Sequence, residues 1–237
     1  MFLRSFAVQG SWNYRSLIGT GFAFALLPAL REIYRERGEL DAAVERHNGL
    51  FNSHPYLAPL ALGAVAAMEA EGESPALIDR FKTAIRGSLG TLGDRLIWAT
   101  WRPLCLLIAI ALAAAGAAWW VVPVAFLVVY NVGHVWLRWW GFRAGLREGR
   151  NVGEKLRHSA VGTAQRGSSV VGAFLVGLAL PLLVSGGVLA DGMGWEWVAA
   201  ASAAALLGLR RGPALRSPLA IVLVAVAIFG CLTGLLE

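Results

Sequence analysis

An all-α, polytopic membrane protein is what this sequence predicts, with about five transmembrane helices behind an N-terminal region of amphipathic or re-entrant helices. Three observations lead there. The 237-residue chain is 57% apolar and only 15% charged, with a mean hydropathy of +0.60, outside the usual soluble range. From residue 103 to residue 137 it runs 35 residues without an Asp, Glu, Lys or Arg. Its charge is also lopsided: residues 1–99 balance at 10 basic and 10 acidic groups, so residues 100–237, with 11 against 5, supply the whole net +6.

In the first hundred residues the apolar runs are of intermediate length: 16–30, 55–68, and 87–93 continuing past Asp94 and Arg95 to Trp101. Runs of roughly 10–15 residues are too short to span a bilayer and mark interfacial or re-entrant helices. Residues 31–46 and 69–82 lie between them with mixed-sign charge, the pattern of a solvated helix face. Short, glycine-interrupted apolar segments point to a binding site in a transporter, where broken backbone lines a cavity. A soluble helical cap on the membrane surface fits the same pattern. Residues 16–30 follow Arg4 and Arg15 as a signal peptide's apolar core would, but Pro28-Ala29-Leu30-Arg31 offers no small-x-small cleavage site.

The sequence thus divides into an N-terminal region, 1–102, and a transmembrane bundle, 103–237. As one straight helix, the 35-residue run would reach roughly 50 Å, against a hydrocarbon core about 30 Å thick. It therefore reads as a hairpin. Trp119 and Trp120 suit the headgroup level at its turn, and Pro123 suits the first turn of the returning helix. Residues 167–190 form a third span kinked by Pro181, residues 193–209 a shorter fourth, and residues 217–236 a fifth. Arg102, the arginines from Arg138 to Arg166, and Arg210, Arg211 and Arg216 then share one face; Asp191, Glu196 and Glu237 share the other. The positive-inside rule places the arginine face and the N-terminus in the cytoplasm of a bacterial inner membrane, with the C-terminus periplasmic.

Several chemistries are excluded. Basic residues flank apolar spans rather than forming a stripe with interleaved aromatics, so no nucleic acid is expected. Cys105 and Cys231 sit in apolar runs as small hydrophobes. No G-x-S-x-G elbow occurs, and His47, His54, His134 and His158 give no compact metal set. Leu92-Gly93-Asp94 matches the motif of an intramembrane aspartyl protease, but Asp41, Asp79 and Asp191 supply no second carboxylate in a suitable setting.

What remains is a set of polar groups beside glycines and aromatics: Gln9, Trp12 and Asn13; Asn52, Ser53 and His54; Asp94, Trp98 and Thr100; and Asn131. An amide or carboxylate at membrane depth is costly unless paired, which makes it a functional candidate. Amides and carboxylates bond hydroxyls, and indole faces stack on the C–H surface of a sugar ring. Singly, each also suits helix capping or satisfying broken backbone.

At these residues the sequence resembles the IID membrane component of the mannose/fructose/sorbose family of phosphotransferase-system sugar permeases. Four blocks carry the likeness: "QGSWNY" from Gln9 with "GFAFALLPAL" from Gly21; "RHNGLFNSHPY" from Arg46; "GDRLIWATWRP" from Gly93; and "YNVGHVWLRWWGFRAG" from Tyr130. The resemblance implies a non-catalytic subunit, without cofactor or phosphorylated residue, that pairs with a IIC membrane partner to form the translocation path for a hexose. Soluble IIA and IIB components would relay phosphate to the arriving sugar. Asn13, Asn52, His54, Asp94, Trp98, Thr100 and Asn131 are then the expected substrate-binding groups, with Trp12 packing or stacking beside them.

The chain also departs from that family's pattern. Ser16 and Ile18 stand where Arg and Gln are usual, Gly49 replaces an acid, Thr91 a glycine, Arg95 a small residue and His134 an arginine. Such changes motivate a second reading, a diverged scaffold that regulates without carrying sugar. An unrelated small-solute permease, without a IIC partner, is a third.

Overall fold

A computed structural model describes residues 1–114 and 116–157; the spans expected at 167–190, 193–209 and 217–236, with His158 and Cys231, lie outside the described residues. All regular structure among the described residues is helical. The helices are α1 (Gly19–Ile33), α2 (Arg37–His47), α3 (Ala58–Ala70), α4 (Pro75–Gly93), α5 (Arg102–Ala114), α6 (Val121–Glu148) and α7 (Val152–Arg157). Short 3-10 turns cover Leu3–Ala7 and Gly149–Asn151, and Asp94–Trp101 is π-helical, so α4 and α5 form one run from Pro75 to Ala113. That run and Val121–Glu154 are long and apolar enough to cross a membrane. The division expected between residues 102 and 103 falls inside the first of them.

Two compact units make up the described chain: Met1–Arg95 with the residues from Val132 onward, and Leu96–Asn131. At the centre of the first lies α3, whose residues from Ala58 to Ala66 are all buried. A helix apolar on every side has no face for water and becomes the core. The segment 55–68, expected as an interfacial or re-entrant helix, is enclosed by protein. Glycines let its neighbour approach: a Cβ on Gly63 would stand 2.4 Å from the Phe142 carbonyl oxygen, and one on Gly145 would stand 2.2 Å from that of Leu60. Phe22, Leu26 and Leu30 of α1, together with Phe51, Ile78 and Leu89, complete this core.

The sequence pattern misjudged two charged stretches. Residues 31–46 and 69–82 carry the mixed-sign pattern of a solvated helix face. The chain breaks at Tyr34–Glu36 and again at Glu71–Ser74. Glu69 and Lys82 are buried, at 2% and 5% exposure, because their charges answer partners on adjacent helices rather than water.

In the second unit, α5 and the first part of α6 form the expected hairpin. Gly116 (φ +77°), Trp119 and Trp120 lie in its turn, and Pro123 is the third residue of α6. The Trp101 indole N–H donates to the Tyr130 carbonyl at 3.4 Å. The second helix does not stop near Leu137, however. It runs on to Glu148, and Arg138, which borders the uncharged run in sequence, is buried against protein, 4% exposed.

Candidate functional site

The site grows from a tight turn over residues 13–17. Leu17 adopts a left-handed conformation (φ +54°), costly for a non-glycine residue. It lets residues 13–17 close on themselves and present backbone to the next block. Ile18 N–H donates to the Phe51 carbonyl (3.0 Å), and Phe51 N–H donates to that of Ser16 (3.2 Å). The first block is thereby fastened to the second, and residues 52–57 are led into α3.

His54 sits at this entry, 3% exposed, against the bare Cα of Gly93. Its Nδ1 accepts the Tyr56 amide at 3.2 Å, so the neutral ring carries its proton on Nε2. Burial pushes its pKa down to about 4; the Asp94 charge pulls the other way and Arg138 opposes that. The imidazole is therefore neutral at physiological pH.

Rings and one cation extend the site. Tyr56 meets His54 edge-on (5.1 Å between centroids) and stacks on His134 (4.6 Å). The guanidinium of Arg138 stands 5.0 Å from the Tyr56 ring and 4.6 Å from that of Phe6, and donates to the Ser5 carbonyl at 2.9 Å. A buried arginine needs such compensation. His134 adds a ring to the column, while Arg138 one turn later supplies the positive charge.

Of the expected site residues, Asn52, His54 and Asp94 belong to the first unit; Asn52 and Asp94 are exposed, one on each segment that frames His54. Asn13 is also in that unit, but its amide is engaged locally. The Oδ1 accepts from Arg15 and Ser16 N–H, and the Nδ2 donates to Ser16 Oγ at 2.8 Å. Trp98, Thr100 and Asn131 belong to the second unit. Trp98 is exposed beside the Arg102 guanidinium (5.3 Å), Thr100 is buried in the π-helical turn, and Asn131 donates to the Leu127 carbonyl one turn back. Trp12 packs edge-on against Tyr14. The π-helix thus holds three of the seven expected groups, in a geometry frequent at functional sites.

The sequence reading missed a second polar centre in the same unit. Glu69 accepts from the Tyr34 hydroxyl, from Arg46 Nη2 at 2.6 Å and from His47 Nε2 at 2.6 Å. Burial alone would raise its pKa; the hydrogen bonds from His47, Arg46 and Tyr34 override that and hold it at about 2. Burial lowers the pKa of His47, which donates as a neutral ring. Lys82 Nζ donates to the Arg46 carbonyl at 3.1 Å. A lone acid closing an otherwise uninterrupted apolar run was the available signal.

Comparisons with known proteins point one way. The profile described as the PTS system mannose/fructose/sorbose family IID component matches residues 1–188. The sorbose-specific EIID component of Klebsiella pneumoniae is 30% identical over 205 residues, covering 81% of this chain and 74% of that protein. The mannose-specific EIID component of Escherichia coli (strain K12) is 30% identical over 199 residues, covering 78% and 70%. Among solved structures, a chain of the mannose transporter ManYZ in complex with microcin E492 superposes with a TM-score of 0.59 at 28% identity. Another, described only as a membrane protein, reaches 0.67 at 28% identity. In each case 75% of this chain and 66% of the solved chain are covered.

Proposed function

Because this chain belongs to the mannose/fructose/sorbose family of phosphotransferase-system IID components, which are membrane subunits of sugar transporters, we propose that it forms, with a IIC partner, the translocation path for a hexose such as mannose, fructose or sorbose. Soluble IIA and IIB components would phosphorylate the sugar, and this subunit would carry no phosphoryl group itself. The proposed setting is the bacterial inner membrane, crossed by about five spans within residues 103–237, with the N-terminus cytoplasmic and the C-terminus periplasmic. Residues 1–102 would supply the re-entrant part of the path.

One observation carries the site assignment: exposed polar groups, Asn52 and Asp94, on the two segments that clasp the buried, neutral His54. A carboxylate accepts hydroxyl hydrogens, an amide both donates and accepts, and neither demands an ionised ligand. In the proposed mechanism of alternating access, Asp94 and Asn52 would bond sugar hydroxyls while His54 positions them. Trp98, Thr100 and Asn131 are proposed as path-lining groups in their own right. Asn13, whose amide is spent on its own turn, is the weakest member of the set.

The regulatory reading drew on departures such as Ile18. Ile18 is 2% exposed and packs in the core, so its change from a polar residue leaves the exposed groups untouched. The test is uptake of labelled mannose, fructose and sorbose by a strain that carries the partner components, with and without this chain. Uptake that depends on the chain supports transport. Unchanged uptake, with altered expression of sugar genes, supports regulation.

A further inference from the structure

Away from the His54 site, α4 and α7 enclose a cleft of about 500 Å³. Phe81, Ile85 and Leu156 give it an apolar lining. On its rim stand two opposite charges four residues apart, Arg150 and Glu154. Arg150 offers one nitrogen to Glu73 at 3.2 Å and is 61% exposed, which leaves the rest of its fork available. Glu154 is exposed and pairs with nothing among the described residues. The cleft lies where both long apolar helices give way to charge, with Arg80 and Arg86 on α4 and Arg143 and Arg147 on α6. With these helices inserted in a membrane, such a change from apolar to charged residues falls at the level of the headgroups.

We propose that this cleft binds one zwitterionic glycerophospholipid, an acyl chain against Phe81, Ile85 and Leu156, its phosphate on Arg150 and its ammonium on Glu154. An amphipathic helix would use the apolar wall alone, whereas a lipid uses that wall and both rim charges, Arg150 and Glu154, in one molecule. An anionic lipid without an ammonium would leave Glu154 facing like charge. The paired cation and anion select a headgroup that carries both signs. Membrane insertion is presupposed; the sugar path is not.

The test is native mass spectrometry of the chain, purified with its membrane partner from mild detergent, after exchange into phosphatidylethanolamine or phosphatidylglycerol. One phosphatidylethanolamine should be retained per chain, in preference to phosphatidylglycerol. A Cβ on Gly153 would meet nothing within 4 Å, so Gly153→Leu should fill the cleft without disturbing the fold. Retention should then fall about tenfold, as loss of roughly two methylenes of burial implies. Ala84→Phe, on the facing wall, should do the same. Glu154→Gln should abolish the preference between the two lipids. Equal retention by wild type and both cleft-filling variants overturns the proposal, as does an unchanged preference in Glu154→Gln or a protein segment cross-linking in the cleft. Hexose uptake measured alongside separates the two readings: loss of transport with lipid retained leaves this one standing.

Discussion

His54 is packed so closely on Gly93 that a methyl group there would stand 2.1 Å from the His54 Cβ and 2.3 Å from its Cγ. That contact joins the turn into α3 to the last residue of α4. It also sets Asp94, which opens the π-helical stretch, beside the imidazole whose ionisation its charge influences. Only a residue without a side chain permits it.

Gly93→Ala should therefore displace His54 or separate α3 from α4. The expected loss is about 1–3 kcal/mol of stability, the usual penalty for overpacking. Gly90→Ala, one turn earlier, opens on empty space and should be neutral or stabilising by up to about 1 kcal/mol. Thermal unfolding of the two variants in detergent, side by side, checks the contrast.

The buried pairing of Glu69 with Arg46 and His47 should dominate the stability of the first unit. Glu69→Ala would strand the Arg46 charge and two neutral donors, and should cost about 3–5 kcal/mol. Tyr34→Phe removes one hydrogen bond from a group that keeps two others, and should cost only about 1 kcal/mol. Equal effects of the two would show that the cluster is not organised around the carboxylate.

Acid should destabilise the first unit in two stages. The folded-state pKa values of His54 (about 4) and His47 lie below the ordinary 6.5, so the unfolded chain takes up protons first. Their contribution is complete above about pH 6.5, and that of His54 is lost as the pH falls toward 4. Glu69, held at about 2 against an ordinary 4.5, contributes above its ordinary value and loses that contribution as the pH drops through 2. A melting temperature that is flat above pH 7 and declines from about 6.5 downward is expected. His54→Gln should flatten the upper part of that decline.

Much of the architecture was legible because it followed from lengths. A 35-residue uncharged run outlasts one crossing, and its turn fell at Trp119 and Trp120, with Pro123 in the first turn of the next helix, as elementary geometry requires. Burial was harder to read. Mixed charges at 31–46 and 69–82 look alike whether they face water or each other, and only the fold pairs Glu69 with Arg46 across 23 residues. The burial of Arg138 was not legible either, because Phe6, Tyr56 and Ser5, which make it tolerable, are all distant in sequence. At the candidate site, polarity beside glycines and aromatics in apolar runs marked His54 and Asp94 and the family blocks contained them, whereas the spacing of these residues carried no signal of their proximity. The same reading included Asn13, whose amide the turn consumes.

That Asp94 faces a sugar path is tested most directly by labelled-hexose uptake through the assembled transporter carrying Asp94→Ala. The side chain is exposed, so the amount of complex in the membrane should match wild type. Uptake should fall by about tenfold or more, the effect of losing a charged hydrogen-bond acceptor worth roughly 1.5–3 kcal/mol to the bound sugar. Wild-type uptake from an equal amount of complex would contradict it.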